Sequence, residues 1–188
     1  RLTPEFLEGK MSIINNGQLL VLDANISKQS IEYLVHNCTV PILAEPVSTT
    51  KAMKLVDLLD KIYLLKPNLL ELEVLSSIKI SNQNDLYNAL DNVLDRGVKN
   101  LVVSMGSEGV LYATKEAKTH YPCFPCTVIN TTGCGDSLIG AIAWSLQNNE
   151  DVNTAIRSGL AAAAICIESK DTISKELTKE NLLKRMNI

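Results

Sequence analysis

The feature that most constrains this chain is an alternation of pattern. Short apolar runs bounded by turn residues, "LLVLDA" (19–24), "ILAE" (42–45), "IYLL" (62–65) and "LVVSM" (101–105), are separated by amphipathic stretches near 27–37, 49–60, 69–76 and 82–96. Runs of this kind suit strands buried on both faces, and the stretches between them suit the crossover helices that parallel strands require. The alternation predicts an α/β fold: a doubly wound sheet of mostly parallel strands with helices on both faces. "GVLYAT" (109–114), "KTHYPC" (118–123) and "TVIN" (127–130) predict a local antiparallel excursion, with helices to follow near 136–148, 151–168 and 178–186. No repeat or low-complexity linker divides the 188 residues, which read as one domain able to bury a core.

Composition narrows the function. With 46% hydrophobic and 21% charged residues and a net charge of −3, the chain has no basic run interleaved with aromatics, so no nucleic-acid partner is expected. The longest apolar stretch, 160–167, is too short to cross a bilayer and no signal peptide is visible, so no membrane partner is expected either. The chain begins with Arg1 rather than methionine, as expected of a piece of a longer chain or a processed product. Five cysteines, an odd number, fit a reducing cytoplasm better than a disulfide framework. Cys123 and Cys126 form a C-x-x-C, but a structural zinc needs two more ligands at regular spacing, and only His36 and His120 are available as histidines. They read as incidental thiols and ordinary histidines.

In open α/β sheets the ligand crevice lies beyond the carboxyl ends of the strands. Asp23 and Asn25 follow the first run, Glu45 the second, Asn68 the third and Gly106 the fourth, and Asn130 to Asp136 close the set. Each alone suits a turn or a helix cap, and Asn68 with Glu71 has capping-box spacing, but their common placement points to a site. Within "NTTGCGDS" (130–137), glycine lets the main chain approach a ligand, and the start of a helix suits a phosphate. A carboxylate there, Asp136, is not needed to hold an anion; it suits a base working beside one. G-x-x-x-x-G-K-[ST] is absent and no G-x-G-x-x-G follows the first run, so neither standard nucleotide signature applies. "SMGSEG" (104–109) reads as a strand end running into a tight glycine turn.

Taken together, "NTTGCGDS", the N-x-x-E of "KPNLLE", "VVSMGSEGVLY" and "AIRSGLAAAAICIESKD" resemble, in order and spacing over roughly 60–175, the signatures of the ribokinase-like (PfkB) carbohydrate and nucleoside kinases. The usual form has alanine where Cys134 stands. The resemblance implies ATP as co-substrate, magnesium and potassium, and a small sugar or nucleoside acceptor. Asp136 would be the base, with the backbone of Gly133, Cys134 and Gly135 stabilising the transferring phosphoryl group. Asn68, Ser104, Gly106, Ser107, Glu108, Gly109, Gly135 and Leu160 would contact ATP. Glu71 would orient magnesium-bound water. Asn130, where the family commonly has aspartate, would hold a monovalent cation with Thr132, Cys166, Ser169 and Ser174. A thiol at Cys134, near a positive helix end, is expected to gain thiolate character.

"LTPEF", "LLVLDANIS" and "PILAEPVSTTKAMKL" most resemble the pseudouridine kinase branch, whose D-P-V-S-T-T-K run has aspartate where Glu45 stands. The expected reaction is transfer from ATP to the 5′-hydroxyl of pseudouridine. The alternatives are another acceptor (ribose, fructose, adenosine) or a truncated nucleotide-binding module without catalysis. The resemblance further implies that residues 1–188 are the C-terminal portion of a single PfkB-type domain. The N-terminal strands and lid would precede Arg1, and this stretch alone would be poorly stable or inactive. A homodimer of the full-length parent and a fusion to a pseudouridine-phosphate glycosidase are compatible with the same resemblance.

Overall fold

The computed structural model describes residues 2–187; Arg1 and Ile188 lie outside the described residues. Two compact units divide the chain, Arg1–Met105 with Leu111–Thr119, and Gly106–Val110 with His120–Ile188. Among the described residues six strands form one sheet in sequence order. They are β1 (Leu20–Asp23), β2 (Ile42–Glu45), β3 (Leu64–Leu65), β4 (Asn100–Ser104), β5 (Val110–Ala113) and β6 (Lys118–Tyr121). The first four are parallel, with Leu20 opposite Ile42, Leu43 opposite Leu64, and Leu64 opposite Asn100. β5 and β6 are joined by a tight turn closed by Thr114 N–H to Ala117 O at 2.8 Å, a connection that only antiparallel neighbours permit.

In the first unit the strands alternate with α1 (Pro4–Glu8), α2 (Met11–Asn15), α3 (Lys28–Asn37), α4 (Thr49–Ala52), α5 (Leu69–Ser76) and α6 (Gln83–Asp95). The starts follow local chemistry: Ser27, Ser48, Asn68 and Asn82 each accept an N–H from the first turn of the helix they precede. Ile31, Leu55, Leu65, Leu72, Leu90 and Leu101 meet in one core that fixes the carboxyl ends of the parallel strands.

The sequence pattern misleads at three points. The helix expected over 49–60 is broken into α4 and a 3-10 stretch, Val56–Lys61. Leu55 N–H to Ala52 O and Leu58 N–H to Leu55 O tighten the backbone, so that Leu55, Leu58 and Leu59 are all buried. The helices α1 and α2 lie outside the expected elements, although Thr3 as N-cap and Pro4 at the first position announce α1. "TVIN" is not a strand: Ile129 and Asn130 give their N–H groups to Ile167 O at 2.9 and 3.1 Å, a helix end rather than a strand ladder. Val128 and Ile129 are 65% and 52% exposed, so their β-branched pattern reflects no buried face.

The second unit contains α7 (Cys134–Gln147), α8 (Val152–Ile167) and α9 (Lys179–Met186). Ala141, Ala161, Ala162, Ile165, Leu182 and Met186 form their common core, and the alanines let the helices pack closely. Asp151 caps α8, its Oδ1 accepting from Asn153 and Thr154 N–H at 2.8 and 3.1 Å. Among the described residues no helix is long and apolar enough to cross a membrane.

Candidate active site

In the first unit the expected residues gather at the carboxyl ends of the strands. Asp23 accepts from the backbone and side-chain N–H groups of Asn25 at 2.7 and 2.8 Å, and Lys51 Nζ donates to Asn25 Oδ1. Glu45 lies opposite Asp23 in the sheet register and forms an ion pair with Lys66, Oε1 to Nζ 2.9 Å. Two residues on, Asn68 and Glu71 make a complete capping box: Asn68 Oδ1 accepts from Glu71 N–H, and Glu71 Oε2 accepts from Asn68 N–H, each at 2.9 Å. Ser104 joins this group, its N–H and Oγ donating to Pro67 O at 2.9 and 3.4 Å. The capping function is therefore present. It leaves Glu71, 4% exposed, held in one orientation at a strand end.

In the second unit Gly106, Ser107 and Glu108 form one exposed 3-10 turn. Gly109 follows at φ 93°, where an added Cβ would overlap the Tyr121 carbonyl. His120 Nε2 lies 2.6 Å from Glu108 O, so this histidine supports the turn.

The other expected residues of this unit surround the start of α7. Gly133 takes φ 83°, an added Cβ there would overlap the Thr172 carbonyl oxygen, and no side chain among the described residues caps α7. Cys134 N–H makes a long contact with Thr131 O at 3.4 Å, and Ser137 N–H to Gly133 O at 2.9 Å opens the helix. The first turn thus combines bare backbone, a positive helix end and the exposed carboxylate of Asp136. An apolar groove of about 360 Å³ opens beside Asp136, with Trp144, Ile173 and Leu177 among its walls. Leu160 is buried inside α8.

The loop before α7 is stitched to the end of α8. Asn130 Oδ1 accepts from Thr132 N–H at 3.0 Å, and its Nδ2 donates to Lys170 O at 3.3 Å. The Cys166 thiol lies 3.6 Å from Thr132 O and 3.3 Å from Thr172 O, so two carbonyl oxygens face one point. Cys166 O receives the N–H groups of Glu168 and Ser169, whereas Ser169 Oγ and Ser174 Oγ accept from Asp171 and Glu176 N–H. The structure therefore gathers Asn130, Thr132 and Cys166, and places Ser169 and Ser174 in the turns that follow.

One expectation is reversed. Burial first, then the nearby thiols of Cys166 and Cys126, push the Cys134 thiol up to about 12. Burial and the neighbouring thiols thus disfavour the thiolate that a helix start was expected to favour. Glu168 moves the other way: the Arg185 hydrogen bond, followed by the Thr127 N–H and the Arg185 charge, holds it below the usual carboxylate value despite some desolvation. Among the described residues no three His, Cys, Asp or Glu side chains are grouped to hold a metal ion. A lone fixed carboxylate such as Glu71 fits magnesium bound mainly by phosphates and water.

The family model for pfkB family carbohydrate kinases matches residues 7–179. The chain belongs to that family. It is 29% identical over 184 residues to the pseudouridine kinase of Escherichia coli, covering 97% of this chain and 59% of that protein. It is 26% identical over 181 residues to the deoxyribokinase of Salmonella typhi, covering 92% and 57%. Among solved structures, the ribokinase of Thermotoga maritima matches with a TM-score of 0.82 at 23% identity, covering 100% of this chain and 62% of that one. Arabidopsis thaliana ribokinase complexed with ribose and ATP matches at 0.80 and 22%, covering 96% and 59%. These two show the ribokinase fold. The chain spans less than two thirds of each of these pfkB relatives.

Two residues of this pfkB chain that sequence reasoning passed over stand out. Lys66 precedes the N-x-x-E motif, but nothing in a lone lysine signals that it is buried. Thr172 lies in a polar loop and contributes a carbonyl, which no side-chain pattern reports.

Proposed function

We propose that this chain carries the phosphoryl-transfer part of an ATP-dependent kinase, and that the whole protein phosphorylates the 5′-hydroxyl of pseudouridine. The observation that carries the reading is the start of α7, where left-handed Gly133, uncapped backbone and exposed Asp136 occur in one turn. Asp136 takes the proton from the acceptor hydroxyl as O5′ attacks the γ-phosphorus; the bond from that phosphorus to the β,γ-bridging oxygen breaks and ADP leaves. Backbone N–H groups at 133–135 stabilise charge on the phosphoryl oxygens, a form of preorganisation that costs no rearrangement during reaction. Bound with ATP, magnesium neutralises phosphate charge, and Glu71 would hold one of its water ligands. Asn130, Thr132, Cys166, Ser169 and Ser174 are the candidate surroundings of a potassium ion. The carbonyls of Thr132 and Thr172, which both face the Cys166 thiol, are oxygens of the kind such an ion takes.

Pseudouridine is favoured by the similarity to the Escherichia coli pseudouridine kinase, and by that to the Arabidopsis thaliana enzyme of the same name at 25% identity over 238 aligned positions. The similarity to deoxyribokinase supports a second reading, a free pentose as acceptor. The test is ADP release by the full-length protein with Mg-ATP and pseudouridine, deoxyribose, ribose, fructose or adenosine in turn. Turnover on pseudouridine alone is expected; turnover on a pentose alone would replace the acceptor, and silence on all five would remove the kinase reading for these acceptors.

A further inference from the structure

Lys66 is 3% exposed and its ammonium lies 2.9 Å from Glu45 Oε1, at the carboxyl ends of adjacent parallel strands. Lysine is almost never buried to this extent unless it is paired, and apolar residues of similar volume often stabilise a core as well as a buried ion pair does. The pair's best physical use is to fix one arrangement among competing ones. On both sides of it the chain leaves the sheet by a turn. After Glu45, Val47 takes φ 69° in a three-residue turn closed by Ser48 N–H to Pro46 O at 2.8 Å, a strained geometry for a β-branched residue. After Lys66, whose N–H donates to Ala44 O at 2.9 Å, Pro67 O accepts from Ser104 N–H at 2.9 Å and Asn68 bridges Ser104, so the turn into the Asn68–Glu71 capping box is tied to β4 by backbone and to β2 by the Lys66 side chain. Glu71 Oε2 is held by Asn68 N–H, so any displacement of Asn68 is passed to the carboxylate.

We propose that Lys66 is a positioning residue: by binding Glu45 it locks the exits of β2 and β3 together, and so sets where Asn68 presents the Glu71 carboxylate. Its effect on nucleotide binding rests on the kinase reading above, which gives Glu71 to magnesium-bound water. The lock itself does not depend on that reading.

The test uses the full-length protein as wild type, Lys66→Met, and the double variant Lys66→Met/Glu45→Leu, which replaces the buried pair by apolar side chains. The first readout is hydrogen exchange of the Asn68 amide without ligand, and the second is the magnesium concentration that half-saturates ATP binding by calorimetry. The double variant is expected to melt near the wild-type temperature, yet to exchange the Asn68 amide at least tenfold faster and to need at least fivefold more magnesium. If both quantities stay within twofold of wild type, the pair is filling space and the proposal is overturned. If the double variant does not fold, Glu45→Asp decides: one methylene shorter with its charge kept, it should accelerate the same exchange, and unchanged exchange would overturn the proposal. Should wild type bind no ATP, the kinase reading fails while the exchange measurement still decides whether Lys66 positions the turn.

Discussion

The capping-box turn at 68–71 and the glycine turn at 130–136 both precede helices, and they treat their backbone in opposite ways. In the first, Asn68 and Glu71 satisfy each other's N–H groups and the neighbouring Pro67 carbonyl is taken by Ser104. In the second, α7 begins at Gly133 without a side-chain cap among the described residues, and the polar side chains around it tie down the loop instead. On the function proposed above, a helix start without a side-chain cap leaves its N–H groups for an anion. The first turn is a fixed mount for one carboxylate; the second exposes bare backbone.

The largest effect is expected at Gly133. Gly133→Ala places a Cβ against the Thr172 carbonyl at φ 83°, so loss of about a hundredfold or more in kcat is expected, with the left-handed residue alone costing roughly 1–3 kcal/mol. Turnover and thermal unfolding of the full-length variant would show both; unchanged values would mean the turn need not be tight. The mount should respond differently. Asn68→Ala removes an N-cap and should cost roughly 0.5–2 kcal/mol by chemical denaturation, with a raised KM for Mg-ATP and a nearly unchanged KM for the acceptor. A change confined to the acceptor KM would contradict that assignment.

A smaller effect is expected at Cys134. Its thiol is raised to about 12, so iodoacetamide at neutral pH should modify the exposed Cys126 well before Cys134, and Cys134→Ala should leave turnover within a few-fold of wild type. Mass spectrometry that found Cys134 labelled first would show that burial does not suppress its thiolate. The smallest effect belongs to Glu168, which receives Arg185 and also accepts from Thr127 N–H at 3.2 Å on the loop leading to the glycine turn. Its lowered pKa means the bridge contributes stability above the ordinary value of 4.5 and loses it as pH falls through the lowered one. Arg185→Ala should remove that acid dependence at a cost of roughly 0.2–1 kcal/mol, because the pair is partly solvated. Equal acid unfolding profiles for both proteins would show the bridge to be idle.

Much of the fold was legible because the parallel strands are continuous apolar runs: "ILAE" is β2 to the residue, and the helix spans near 69–76 and 82–96 agree with α5 and α6. What failed was pattern without context. Val128 and Ile129 look like strand residues, yet the segment's N–H groups are consumed by the end of α8. Residues 49–60 look like one helix until 3-10 bonding turns Leu55 inward. Of the candidate site, the motifs placed Asp136, Gly133, Asn68 and Glu71 at strand exits and helix starts, because glycine and capping residues act locally. Lys66 and Thr172 were not legible. One matters through burial against a residue from another strand, and the other through a backbone carbonyl.

On the function proposed above, Asp136 serves phosphoryl transfer at the start of α7 rather than nucleotide binding. The most direct test is single-turnover transfer from γ-labelled ATP by the full-length protein and its Asp136→Asn variant, with ATP affinity measured on both. A loss of about 10²–10⁴-fold in transfer is expected, with ATP affinity unchanged. Transfer at the wild-type rate, or a loss explained entirely by weaker ATP binding, would contradict it.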